Sequence, residues 1–354
     1  MANKRTYWAI QALGTHVSDG SFTVATAKFV PGVQSVGITT NYNLEQTFQL
    51  GQLEIYQDIE EVPDIEISVE KVLDQTTALY GRVMDPADPT KVEIVADQNN
   101  QVDVVFAVHP DTDKTAGDSN ATAVAHCSGM YCSSASFNFA TDGYFTESIS
   151  LVGNHKVWTD TPGAEIAGVP DSSTLDTGAV AKRQHFVWET APEEINTLTT
   201  AADTTNELVV TNVSVSVDFG REQINMLGKR MPYHRYVTFP VEVTTDIEAL
   251  VTDIADMDGT QAYPNIDNLS ERTIKFSVFD GAATHPKAVP AGTARLHTFD
   301  LGTKNKITSI TWNGIDTGGS NASMTFSYRN FNKLDYIFGS SDGSTKGTDV
   351  PYPT

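Results

Sequence analysis

The residues of this chain whose chemistry could support metal binding or catalysis are few. His126, Cys127 and Cys132 form the closest grouping of nitrogen and sulfur ligands. A structural zinc site needs four such ligands, and the sequence around these three offers no fourth. The two cysteines are the only ones in the chain, so we expect free thiols in a protein made in a reducing cytoplasm.

The acidic segments are poor candidates for a site. Asp111 and Asp113 are spaced as in a calcium-binding loop, but the sixth position, where that loop requires glycine, is Ala116. The neighbours Glu60 and Glu61 would point to opposite faces of a strand. No phosphate-binding glycine loop or nucleophile elbow occurs. We predict that the protein is not an enzyme and has no cofactor or metal, although a site assembled from distant residues stays open.

The elements around these residues are predicted to be mainly strands. Apolar and polar residues alternate over 36–50, which is typical of a half-buried strand or a long hairpin arm. Further strands are predicted at 65–69, 102–108, 135–139, 147–152, 213–219, 237–243, 273–279, 307–312 and 323–328. Helical spacing predicts one helix in each half, over 69–80 and 245–257. This pattern favours a mainly β fold, a sandwich or barrel with one helix per domain.

The sequence repeats itself at an offset of half its length. Six residues recur 177 positions later in the 354-residue chain: Glu45, Gln46, Leu50, Gly51, Tyr56 and Pro63 match Glu222, Gln223, Leu227, Gly228, Tyr233 and Pro240. The alternating pattern slips by one residue after Pro240. Chance similarity between strands is the alternative, but a fixed spacing along a chain is the signature of repeated domains. We predict tandem duplicated domains at 1–158 and 182–354, joined by a linker at 159–181.

The charge restricts the partners. A formal net charge of −22 disfavours a nucleic-acid binder, since such proteins neutralise phosphates with Lys and Arg. No apolar run approaches the ~18 residues of a membrane span, so we expect no membrane partner.

Three segments resemble the tail tube proteins of tailed bacteriophages. They are residues 31–56, 62–74 and 134–153. The resemblance implies a structural virion protein in the phage tail. In that family the inner strands of several subunits close a β-barrel around a lumen, and the rings stack with hairpins reaching into the neighbouring ring. Subunits with a duplicated domain form trimers with pseudo-sixfold symmetry, and the 177-residue offset fits that type.

The same resemblance implies the partners. The chain would bind itself in stacked rings, and would contact tape measure, baseplate and tail terminator proteins, while a surrounding sheath is left open. Viral DNA would pass through the lumen without specific binding. An acidic wall would repel its phosphates, and Glu45, Gln49, Glu54, Gln57 and Asp58 are candidate wall residues.

The twelve matched residues are the candidate assembly residues. We predict that segments 46–62 and 223–239 join subunits, with an intradomain turn as the alternative. Gly51 and Gly228 would permit a turn or a close backbone approach. The competing function is a baseplate, hub or surface β-sandwich module that binds a glycan or protein through exposed aromatic pairs, Tyr7–Trp8 or Tyr328–Phe331.

Overall fold

A computed structural model of the chain describes residues 6–113, 115–160, 163–173, 179–192, 209–250, 270–281, 294–313 and 322–339. The prediction of a mainly β protein is confirmed, and the strands named below pair with one another only in the antiparallel direction. Two short α-helices lie among the described residues, α1 (Leu79–Met84) and α2 (Ile94–Asp97).

The strands are numbered in chain order. They are β1 (Gln11–Val17), β2 (Lys28–Phe29), β3 (Val33–Asn41), β4 (Leu44–Phe48), β5 (Ile55–Glu60), β6 (Asp64–Val72), β7 (Lys91–Glu93), β8 (Val102–Val108), β9 (Ala123–Ala140), β10 (Thr146–Gly153), β11 (His155–Asp160), β12 (Phe186–Thr190), β13 (Val209–Asp218), β14 (Arg221–Ile224), β15 (His234–Val237), β16 (Glu242–Leu250), β17 (Lys275–Phe279), β18 (Arg295–Asp300), β19 (Lys306–Asn313), β20 (Ser323–Phe331) and β21 (Asp335–Phe338).

The strands form one large sheet, one smaller sheet and two separate hairpins. Eight strands of the large sheet follow the order β19-β20-β16-β13-β9-β10-β6-β3, and β1, β2, β8 and β11 extend it beside the first part of β9. The smaller sheet has the order β12-β17-β18-β21-β7. Strands from both halves of the chain therefore share each sheet.

The core lies between the large and the small sheet. Along β6, Ile65, Ile67 and Val69 are buried while the residues between them are exposed, as period-two alternation requires. Phe139 on β9 meets Phe276 and Phe299 of the smaller sheet at ring centroid distances of 5.0 and 5.3 Å. Each fully buried side chain of this size stabilises the fold by ~1.5–3 kcal/mol.

Neither predicted helix is observed over most of its described residues, although Leu79 and Tyr80 begin α1. Val69 and Val72 belong to β6, because β3 and β10 pair with this segment on its two sides. Residues 245–250 belong to β16, and the remainder of that predicted helix lies outside the described residues. The observed helices α1 and α2 both belong to the first half, and α1 is buried on every side.

The described parts of the predicted linker pack against the first half. Ile166 is buried with Ala27 and Val105. The Ala167 N–H donates to the Ala27 carbonyl over 2.9 Å, and the Ala181 N–H donates to the Leu73 carbonyl over 2.8 Å. The domain limits themselves stay a prediction.

A buried polar cluster joins the two halves around His297. Its Nε2 donates to the Asp74 carbonyl over 2.7 Å, because a carbonyl can only accept, and its Nδ1 accepts from the Tyr336 hydroxyl over 2.9 Å. That hydroxyl oxygen accepts in turn from the Ala78 N–H. Burial lowers the pKa of His297 to about 4, so the imidazole is neutral in the folded protein.

Stability should therefore fall as the pH drops from about 6.5 towards 4, since the unfolded imidazole binds a proton in this range and the buried one does not. Burial raises the pKa of Glu147, which acts in the opposite direction. The test compares urea unfolding of wild type and His297→Gln at pH 7, 5.5 and 4.5. The variant should be less stable at pH 7 and should lose less stability on acidification; parallel curves would contradict this role.

Candidate assembly surface

Two hairpins project from equivalent places in the large sheet. Hairpin 1 (residues 44–60, β4 and β5) connects β3 to β6, and hairpin 2 (residues 221–237, β14 and β15) connects β13 to β16. In hairpin 1, Glu45 lies opposite Ile59, and in hairpin 2, Glu222 lies opposite Tyr236. Both pairs are related by 177 residues, so corresponding residues occupy corresponding positions.

The matched glycines lie in the two hairpin turns. Gly51 has φ 92° and Gly228 has φ 85°. A Cβ at either position would meet no atom within 4 Å. The prediction of a glycine turn is confirmed by these angles, which disfavour L side chains. The alternative prediction, that Gly51 and Gly228 allow another part of the chain to approach their backbone closely, is wrong.

The hairpins expose many large apolar side chains. Leu50 and Leu227, next to the two glycines, are fully exposed. The other exposed apolar residues are Leu44, Phe48, Leu53, Ile55, Tyr56 and Ile59 on hairpin 1 and Ile224, Met226, Met231 and Tyr233 on or within hairpin 2. Clustered exposed apolar surface marks interaction sites.

The structure thus brings ten of the twelve matched residues onto the hairpins. Pro63 and Pro240 lie instead in the short segments that lead from each hairpin into the next strand of the large sheet. The assembly role of all twelve stays a prediction.

Hairpin 2 is docked at its base, whereas hairpin 1 is exposed along both strands. Arg235 forms an ion pair with Asp64, and its Nε donates to Asn154 Oδ1 over 3.1 Å. His234 Nδ1 lies 3.0 Å from the Tyr131 hydroxyl. The base of hairpin 2 therefore lies across first-half residues that border β6, β9 and β10.

The hairpins carry opposite charges, which the sequence analysis did not detect. Hairpin 1 contains no Lys or Arg. Its four carboxylates are Glu45, Glu54, Asp58 and Glu60. Hairpin 2 contains one carboxylate, Glu222. Its four cations are Arg221, Lys229, Arg230 and Arg235.

The outward face of the eight-stranded path is polar. Ser, Thr and Asn predominate, with carboxylates such as Glu66 and Glu70 on β6 and Asp246 and Glu248 on β16. The predicted wall residues do not lie on this face. All five belong to hairpin 1, because the chain leaves the sheet after Asn41.

The groups that the sequence singled out for metal binding are Cys127, Cys132 and His126. Burial raises the pKa of Cys127 to about 11 and that of Cys132 to about 12, so neither is a ready thiolate. His126 lies 3.0 Å from an Asp103 carboxylate oxygen and stacks on Phe22. Within the described ranges, no three His, Cys, Asp or Glu side chains are grouped to hold a metal ion. No described helix is long and apolar enough to cross a membrane.

A scan against protein-family models finds no match, and a search of the curated proteins finds none either.

Proposed function

We propose that the chain is a tail tube subunit of a tailed bacteriophage, in which two copies of one domain contribute to a ring around a DNA channel. The observation that carries this proposal is the strand order of the large sheet. Second-half strands β19-β20-β16-β13 follow the same order as first-half strands β9-β10-β6-β3.

The irregularities of pairing recur at the same places. Gln34 is the extra residue where β3 pairs with β6, and Thr211, 177 residues later, is the extra residue where β13 pairs with β16. Ser133 and Thr308, 175 residues apart, are the extra residues of the β9–β10 and β19–β20 pairs. Bulges are specific local features, so this coincidence supports two copies of one domain.

The register also accounts for the one-residue slip after Pro240. The hairpins match at an offset of 177, whereas β6 matches β16 at 178, as Val69 and Ile247 illustrate. One additional residue lies between hairpin 2 and β16. The slip is thus compatible with duplication.

The contact between the two halves suggests how chains join. Second-half strand β13 pairs with first-half strand β9, and their counterparts β3 and β19 are the end strands of the path. An end strand presents unpaired backbone groups. If β3 of one chain pairs with β19 of the next, the internal junction is repeated and the sheet closes without edges. The resemblance to duplicated tube proteins supplies the number, three chains with six domains.

The outward face of the sheet would then line the channel. Glu70 and Glu248 occupy corresponding positions in the two copies, so a ring of three chains would place six carboxylates at one level. Negative charge at the wall repels DNA phosphates. These residues replace those of hairpin 1 as the proposed wall.

Electron microscopy and native mass measurement of concentrated protein test the proposal. Rings of three chains that stack into tubes are expected. Rings of six chains would overturn the trimer and keep the tube, whereas protein that stays monomeric at all concentrations would overturn both.

The double substitution Leu50→Ser and Leu227→Ser should prevent rings from stacking, because it removes the exposed apolar surface that a neighbouring ring would bury. Unfolding free energy should change by less than about 0.5 kcal/mol, since both are surface positions. Val95→Ser, at another exposed apolar residue outside the hairpins, is the control and should form normal tubes. Full-length tubes from the double variant would contradict the stacking role of the hairpins.

One feature favours the alternative, a baseplate, hub or surface module that binds a glycan or protein. The exposed Trp8 lines a groove of about 420 Å³ with Phe29 and Phe106. Tyr328 is buried, so the second aromatic pair cannot form the predicted exposed cluster. Monomers whose tryptophan fluorescence shifts with a glycan would favour this alternative.

A further inference from the structure

We propose that the acidic hairpin 1 docks on a second copy of the chain at a cationic corner formed by Lys306 and Arg329. The charges of this junction are the reverse of those at the internal junction. The inference rests on the proposed tube function, and it adds the contact that determines which domains become neighbours in a ring.

The internal junction supplies the geometry. Hairpin 2 of the second half bends over the first half, where Arg235 pairs with Asp64 at the start of β6 and bonds Asn154 just after β10. The second half thus provides the cation and the first half provides the carboxylate. The equivalent contact of hairpin 1 has to be made with another chain, because β3 ends the sheet.

On hairpin 1, the residue in the place of Arg235 is Asp58. Arg235 lies opposite Gln223, and Asp58 lies opposite Gln46, so the two positions correspond in register. A cation is replaced by a carboxylate. Asp58 is exposed and is available to a partner.

On the partner, the corresponding surface is formed by the start of β16, the start of β19 and the end of β20. Glu242 takes the place of Asp64, and Lys306 takes the place of Tyr131. Lys306 lies opposite Arg329 in the β19–β20 pair. Arg329 takes the place of Val152, so the second copy has two cations where the first copy has none.

The cations are suited to receive a carboxylate. Arg329 lies 3.6 Å from Glu242 and 5.5 Å from the Phe331 ring centroid, and it remains about half exposed. It can therefore bridge Glu242 and an incoming Asp58, with Lys306 beside it. Lys306 and Arg329 are the only Lys or Arg side chains on the outward face of the eight strands, all of which are described.

Phe331, whose ring lies beneath the Arg329 guanidinium, also borders a cavity. Lys304 and Lys333 line a cavity of about 520 Å³ that is bordered by Phe331. Asp300 also lines it, and Lys333 is paired with Asp335. The cavity wall carries a third lysine, Lys275, which is paired with Glu189. The charged groups of hairpin 1 are all carboxylates, so they complement the charges of Lys306 and Arg329.

The reversed charges of the two junctions also determine on which domain copy each hairpin can dock. If hairpin 1 docked on a first copy of the domain, Asp58 would face Asp64, and neither Lys306 nor Arg329 would be present there. Hairpin 2 on a second copy would meet Glu242 in the place of Asp64, but it would also place Arg235 beside Lys306 and Arg329, where the first copy has no cation. Like charges disfavour both arrangements. First and second copies would therefore alternate around the ring.

The test is a charge exchange on the full chain. Asp58→Arg and Arg329→Asp, made separately, should each raise the protein concentration for half-maximal ring formation by about tenfold or more. Combined, they should restore most of the wild-type value, because the ion pair is re-formed with its direction reversed. Sedimentation velocity measures ring formation, and thermal unfolding at low concentration checks that each variant is folded.

Glu54→Arg is the matched control. It makes the same charge change on hairpin 1, away from the base, and should leave ring closure unaltered. Single variants that close rings like wild type, a combined variant no better than either single one, or an equal defect in Glu54→Arg would overturn the contact and leave the tube proposal standing. Wild-type protein that forms no rings would overturn both.

Discussion

Chains that carry Thr39→Cys and Thr311→Cys should become covalently linked into closed trimers under mild oxidation. The two positions correspond to Ser216 and Ser136, which face each other across the internal β13–β9 junction. If chains join as proposed, Thr39 of one chain lies opposite Thr311 of the next. Opposite residues in antiparallel strands are ~4.5–5.5 Å apart between Cα atoms, within the range that a disulfide spans.

Gel electrophoresis without reductant gives the result directly, with a single band at three chain masses that returns to one chain mass on reduction. The native thiols should not interfere, because Cys127 and Cys132 are buried and have raised pKa values. A ladder of open oligomers would mean that the contacts repeat without closing.

Two further variants calibrate the crosslink. Ser136→Cys with Ser216→Cys should close a disulfide within one chain, which shows that this geometry permits the bond. Thr39→Cys with Asn313→Cys is displaced by two residues, about 7–8 Å, and should crosslink poorly. If the internal pair closes and the Thr39 and Thr311 pair does not, the proposed edge pairing is wrong.

Tubes assembled from chains with Glu70→Lys and Glu248→Lys should bind duplex DNA, whereas wild-type tubes should bind none. The change replaces six carboxylates with six ammonium groups at one level of each ring. Contacts to 6–10 phosphates should make binding fall by ~10³–10⁵ between 50 and 200 mM salt. Fluorescence anisotropy of a labelled duplex over a salt series measures this effect.

Glu45→Lys with Glu222→Lys is the matched control for the wall. It changes the chain charge by the same amount, but at corresponding positions of the two hairpins. Weak binding by this control and strong binding by the Glu70 and Glu248 variant would locate the wall on the sheet. If the control binds DNA more strongly instead, the hairpins and not the sheet line the channel. Wild-type tubes that bind DNA tightly would contradict an acidic channel.

The strands were largely predictable because alternation is a local signal. The predicted strand 102–108 coincides with β8, and the hairpin turns fall at the matched glycines. The helix over 69–80 failed for a reason that is not local. Val69 and Val72 fit a helical spacing, but β3 and β10 pair with this segment on both sides, and their positions follow only from the whole fold.

The helix α1 shows the converse failure. All six of its residues are buried, so it has no polar face and leaves no helical period in the sequence. Its first N–H groups are satisfied from a distant strand, since the Glu147 carboxyl accepts from the Leu79 N–H over 2.6 Å and from the Tyr80 N–H over 3.1 Å. No cap residue near the helix could have indicated where it begins.

The candidate surface was predictable in position but not in chemistry. The repeat located both hairpins, and their charges are visible in the sequence. What the opposite charges of the hairpins contact could not be read from the sequence. It became visible only in the ion pair of Arg235 with Asp64, which are 171 residues apart. The five wall candidates lie off the sheet because alternation continues across Asn41, while the chain leaves the sheet there and enters hairpin 1.

In the proposed ring, the internal β13–β9 junction also changes the thermodynamics of assembly. Each association of separate molecules loses translational and rotational freedom worth roughly 4–15 kcal/mol. Forming a ring from six single-domain chains requires five association steps, each with this loss of entropy. Three chains that already contain the β13–β9 junction require only two such steps. β9 and β13 are separated by about 70 residues of chain, and such a tether keeps partners at high effective concentration. Half of the joints in the proposed ring would therefore form during folding, before any two chains meet.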